Sequence, residues 1–248
     1  MRWRPPYLSG LFGISAICGI IDAACFIAMG GVFAELMTGN MVLLGFRLGT
    51  GEDFGNGTPA RYLAALAFFA LGALLGGHVM RGPRVFTERR FGFFVELAIL
   101  VVATVVAVVT DPGQTGWDRD VVVALLCVAM GLQNTLLRTH GVPDLATNVM
   151  TLTFTALVSD SALARGHNER WRRRGGSIAL FIVGATVGAW LTRYGAWPPL
   201  VLATALFAAV LWPLLASDPP PRTPASPPGP RPGEVPGAPS TPGPPHPA

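Results

Sequence analysis

Six apolar runs, at 8–29, 60–80, 92–110, 120–138, 176–193 and 197–216, constrain this chain more than anything else in it. A hydrocarbon core about 30 Å thick needs roughly 20 apolar residues in helical form, and each run is about that long. Without water in the bilayer, backbone N–H and C=O groups must pair within the segment, which selects helices. The expected fold is therefore all-α integral membrane, with about six transmembrane helices. Only 13% of residues are charged, against about a quarter in soluble domains. A water-soluble enzyme is excluded on that ground.

The formal net charge of +4 does not point to nucleic acid. All eighteen basic residues are Arg, and most fall in short clusters between apolar runs rather than on one face. Arg81, Arg84, Arg89 and Arg90 lie in one connection, and Arg165, Arg170, Arg172, Arg173 and Arg174 in another. The connection between them carries Asp111, Asp118 and Asp120 around Arg119. Basic connections stay cytoplasmic, so six spans with both termini inside reproduce the pattern, and Arg2 and Arg4 agree with it.

Two more stretches, 33–50 and 145–160, are apolar but short and interrupted by Thr, Gly and Asn. A full span at 145–160 would move the second Arg cluster to the wrong face, so both are expected to be re-entrant or broken helices. The membrane domain covers 1–217. From 218 to 248, fourteen prolines in thirty-one residues predict a disordered cytoplasmic tail. Cys18, Cys25 and Cys127 lie inside apolar runs, without zinc-site or disulfide spacing, and read as small buried residues. The N-terminal run is too long for a cleaved signal peptide and reads as a retained helix.

The two halves echo each other, repeat one at about 8–112 and repeat two at about 118–217. Gly72-Ala73-Leu74-Leu75-Gly76 corresponds to Gly184-Ala185-Thr186-Val187-Gly188 at an offset of 112, and Phe69 to Phe181. At that offset Gly19-Ile20-Ile21-Asp22 falls on Gly131-Leu132-Gln133-Asn134. With one residue inserted, Leu36-Met37-Thr38 falls on Val149-Met150-Thr151. Three spans per half is an odd number, so the halves would insert as inverted repeats, a plan with the binding site at the repeat interface. The Gly-xxx-Gly pairs read first as packing surfaces, joining the second and fifth spans to each other.

Polar residues inside the spans are the candidate site. Asp22 lies among Ile20, Ile21, Ala23 and Ala24, where a charge costs about 2.5–3.5 kcal/mol, so it should face protein or water. Ser15, Cys18, Asp22 and Cys25 share one helix face by their spacing. Gln133 and Asn134 are the counterparts in the fourth span. Thr38, Gly39 and Asn40 in the first broken stretch, with Asn148 and Thr151 in the second, complete the candidate set of substrate- or proton-site residues. Helix-to-helix hydrogen bonding is the competing reading for all of them. Glu96 and His78, near the ends of their runs, are expected to reach toward the interface.

Gly19-Ile20-Ile21-Asp22-Ala23, Phe33 with Met37-Thr38-Gly39-Asn40, and Gly131-Leu132-Gln133-Asn134 together resemble the YoaK-like family of bacterial multi-span membrane proteins, a domain-of-unknown-function family. The resemblance covers roughly 8–216. It implies a multi-pass protein of the bacterial inner membrane and supplies no substrate, cofactor or catalytic residue. The second half departs from the motif, with Leu152-Thr153 standing where the first has Gly39-Asn40.

The leading expectation is a small secondary transporter or permease for an unidentified small molecule or ion, with a proton coupled through Asp22. The alternative is a non-transporting scaffold or sensor partner. No catalytic pairing, metal spacing or phosphate-binding loop suggests an enzyme or a cofactor.

Overall fold

The computed structural model describes residues 5–52, 57–80, 85–113, 116–140, 150–164 and 170–215. They form eight α-helices and, among the described residues, no strand. Six are long and apolar enough to cross a membrane: α1 (Pro5–Ala28), α3 (Pro59–Val79), α4 (Val85–Thr110), α5 (Trp117–His140), α7 (Trp171–Leu191) and α8 (Trp197–Leu215). Between them lie two short helices, α2 (Met37–Thr50) and α6 (Met150–Ser159). At about 1.5 Å per residue, neither short helix is long enough to cross a 30 Å core. The expected Pro-rich tail and the residues Thr147 and Asn148 lie outside the described residues.

Helix ends differ from the apolar runs where charged residues continue a helix. The third span begins at Val85 rather than 92, because Glu88, Arg89 and Arg90 are helical. Arg89 is buried, and its Nη2 donates to the Leu214 carbonyl at 2.9 Å, satisfying an end group of α8. The fifth span starts at Trp171, and buried Arg174 joins it to α6 through the Ala156 carbonyl (2.8 Å) and Asp160 (2.6 Å).

Burial singles out two central helices. In the most apolar stretches of α1 and α5, 61% and 67% of positions are buried, against 17–33% in the other four spans. α1 packs against α7 and α8, α5 packs against α3 and α4, and α4 packs against α8. The short helices sit outside, α2 on α3 and α6 on α7. Leu74, Val109 and Trp212 stay exposed on the outer faces, as expected of residues that meet lipid.

Small residues make the two main crossings. A β-carbon added at Gly19 would collide with the Phe181 carbonyl on α7, and one at Gly184 with the Ala16 carbonyl on α1. In the other crossing, Gly131 meets the Phe69 carbonyl on α3 and Gly72 meets the Val128 carbonyl on α5. Each partner in the second crossing is displaced by 112 residues from its counterpart in the first. The Gly-xxx-Gly pairs therefore bind the central helices, correcting the expectation that the second and fifth spans pack on each other. Small residues license close approach, but do not specify the partner.

Candidate functional site

Three of the candidate residues, Asp22, Gly39 and Asn40, converge near the end of α1. After Ala28 the chain passes through Gly30 and Gly31, both at positive φ (91° and 73°), a conformation that suits glycine. It then folds back along α1. The Asp22 carboxylate accepts the backbone N–H groups of Ala34 (2.9 Å) and Glu35 (2.8 Å) on Oδ1 and of Leu36 (3.2 Å) on Oδ2. Asp22 lies six residues inside the end of α1, about 9 Å along the axis. The chain thus returns to that depth before α2 begins.

Asp22 serves α2 as a cap supplied from another helix. Leu36, the residue before α2, has no capping side chain of its own. The carboxylate sits at the positive end of the α2 dipole and binds the N-cap N–H of Leu36 together with two N–H groups of the turn that leads into the helix. Oxygens occupied this way are not an open ligand site.

Asn40 closes the same turn from the other side. Its Nδ2 donates to the Phe33 carbonyl at 2.8 Å, and its Oδ1 accepts the Phe33 N–H at 2.9 Å. The Phe33 ring stacks on Phe26 with centroids 4.7 Å apart. A β-carbon at Gly39 would come within 2.8 Å of the Phe33 ring, so glycine admits the ring there. Asp22, Gly39 and Asn40 are therefore brought together around Phe33 as one clamp on residues 33–36.

The remaining candidates are dispersed. Thr38 is exposed and lines, with Gly39, an open and mainly apolar groove of about 370 Å³ beside Phe33 and Val42. Gln133 is fully buried on α5, and its Nε2 meets the Cys18 sulfur on α1 at 3.2 Å, one turn from Asp22. Asn134, the counterpart of Asp22, donates to the Met130 carbonyl of its own helix at 3.0 Å. Thr151 is exposed on α6, away from this turn. Thr153 is the buried residue there and corresponds to Asn40 once the one-residue insertion is counted. Asn148 lies outside the described residues.

The family model described as "Protein of unknown function (DUF1275)" matches residues 10–212. The chain belongs to this family. It is also 26% identical over 203 residues to the UPF0700 transmembrane protein YoaK of Bacillus subtilis (strain 168), covering 76% of this chain and 88% of that protein. No solved structure matches the chain. In this DUF1275 member, two of the three segments resembling the family supply the clamp, with Asp22 on α1, Phe33 in the turn, and Gly39 with Asn40 on α2, while the third, Gly131–Asn134, lies on α5.

Several buried polar groups carry no sequence signal for what they do. Glu35 is buried beside Asp22 inside the clamp. Arg119 is buried at the start of α5 and holds Asp120 through Nε (2.9 Å) and Nη2 (2.7 Å), while Arg61 on α3 approaches Asp120 at 3.6 Å. Arg61 and Asp120 line a cavity of about 240 Å³ between α3 and α5, together with Met29, Ala64, Phe68 and Val123. His78 is exposed at the end of α3, as its position in the run implies. Glu96 is not at an edge: it is 0% exposed, and neither oxygen has a hydrogen-bond partner among the described residues. Because α4 starts seven residues before the apolar run, Glu96 lies near mid-helix.

Proposed function

We propose that this DUF1275 protein is a small secondary transporter or permease of the bacterial inner membrane, built as two inverted repeats with both termini cytoplasmic. The carrying observation is the reciprocity of the crossings: Gly19 and Gly184 join α1 to α7, and residues displaced by 112 join α5 to α3. Inverted repeats with discontinuous helices are a recurring transporter plan, in which one unit rocks against the other. The folded-back turn before α2 supplies such a discontinuity in the first half. The Arg clusters support the orientation.

In this reading Asp22 is a latch. Coupling through it works by release, because a protonated carboxyl accepts fewer of the three N–H bonds and frees the turn. The substrate is a small molecule or ion reached by rearrangement of α1 and α5 with Gln133 and Asn134. Reconstituted vesicles incubated in a bacterial small-molecule extract, then washed and analysed by mass spectrometry, should retain at least one compound above protein-free vesicles. Retention of none contradicts transport.

One observation favours the alternative of a non-transporting scaffold or sensor partner: the oxygens of Asp22 and the amide of Asn40 are already engaged in structural hydrogen bonds. Truncation after residue 217 separates the two readings. Transport survives that deletion, whereas a role exerted through the Pro-rich tail does not.

A further inference from the structure

We propose that Glu96 is a proton-binding site inside the helix bundle, carried as the un-ionised acid in the interface of α4 with α5 and α8. Glu96 shares the buried face of α4 with Phe93, Leu100, Ala103 and Ala107. The Phe93 ring packs on Phe207 of α8, with centroids 6.4 Å apart, and Gly92 abuts the Leu136 side chain of α5. Since α4 and α5 are joined by a short connection and run antiparallel, this register sets Glu96 level with Leu132 and Gln133. Among the described residues neither buried carboxyl oxygen has a donor, and the Gln133 Oε1 likewise lacks one.

Among the described residues, the charged groups of the elements packed against α4 lie elsewhere. α8 contains no ionisable side chain. On α5 the described charged groups sit toward the ends, Asp118, Arg119 and Asp120 at one and Arg138 at the other, with Cys127 between. On α3, which touches α4 more lightly, Arg61, Tyr62 and His78 are likewise near the ends. Within α4, Glu88, Arg89 and Arg90 are about two turns earlier, and Arg89 reaches the Leu214 carbonyl.

An isolated carboxylate in such surroundings takes a proton instead of keeping its charge. A metal or alkali cation would need several oxygen ligands to replace its water, and the neighbouring face is apolar. A proton needs only the one carboxyl. Asp22 differs, because three N–H donors already support its carboxylate. The role of the Glu96 proton as a coupling ion rests on the transporter reading, but its presence does not.

Infrared spectroscopy of the full-length protein in lipid nanodiscs at neutral pH tests the proposal. The expected result is an un-ionised carboxylic C=O band above amide I that shifts on ¹³C-glutamate labelling and in D₂O. The band should disappear in Glu96→Gln and persist in Glu35→Gln and Asp22→Asn. Should Glu96→Gln fail to fold, the labelled wild type together with Glu35→Gln decides. No band, a band insensitive to the glutamate label, or a band lost in Glu35→Gln overturns the assignment. Solute retention by vesicles is read separately, so a proton without transport and transport without this proton give different results.

Discussion

Two carboxyls are buried in the spans of this protein, and the fold treats them in opposite ways. Asp22 collects three backbone N–H groups at the start of α2. Glu96, near the middle of α4, is buried, and neither of its oxygens has a hydrogen-bond partner among the described residues. The same functional group is thus a structural acceptor in one place and a neutral acid in the other. What separates them is whether irregular backbone lies within reach. Backbone that leaves a helix at membrane depth exposes N–H groups that must be paired, and a carboxylate is the acceptor that can serve several at once.

Substitutions distinguish the two carboxyls by the stability each one supplies. The largest loss is expected for Asp22→Ala, which strands two buried donors, at about 1–3 kcal/mol each before relaxation, and the part-buried Leu36 N–H. Thermal unfolding in a single detergent should show it as the least stable of the series, and a near-wild-type midpoint would refute the clamp. Asn40→Ala removes one donor and one acceptor from Phe33 and should cost about 2 kcal/mol by the same measure. Gly131→Ala presses a methyl group into the Phe69 carbonyl, so the α3–α5 crossing must open, at about 1–3 kcal/mol. Its counterpart Gly19→Ala, against α7, should cost a comparable amount, and a large inequality would weaken the repeat reading. The smallest change is expected for Glu96→Gln, under about 1 kcal/mol, since a neutral amide of similar shape replaces a neutral acid. A loss as large as that of Asp22→Ala would mean that Glu96 is charged and paired.

The contrast also shows what the chain discloses before it folds. Six spans are legible because apolar length alone specifies them. Asp22 stands out because a carboxyl among Ile and Ala needs an explanation. Its partners are not legible, since they are backbone N–H groups at 34–36, and any residue but proline carries one. The glycines of Gly72–Gly76 and Gly184–Gly188 announce close packing but not with which helix. Glu96 is misjudged from the sequence because Arg-containing residues 85–91 read as a connection. Once Arg89 is accommodated by the Leu214 carbonyl, the helix lengthens and Glu96 moves toward its middle. Asn134 looks like a second Asp22 by position, yet an amide can satisfy its own helix, and it bonds Met130 instead.

Hydrogen–deuterium exchange of the backbone amides of Ala34, Glu35 and Leu36, in wild type and Asp22→Asn, tests the central claim most directly. Asn retains a single acceptor oxygen and turns an NH₂ group toward the same donors. Slow exchange is expected at all three amides in wild type and much faster exchange in the variant, with the amides of α4 around Glu96 unchanged. Rapid exchange at 34–36 in wild type, or equal protection in both proteins, would contradict it.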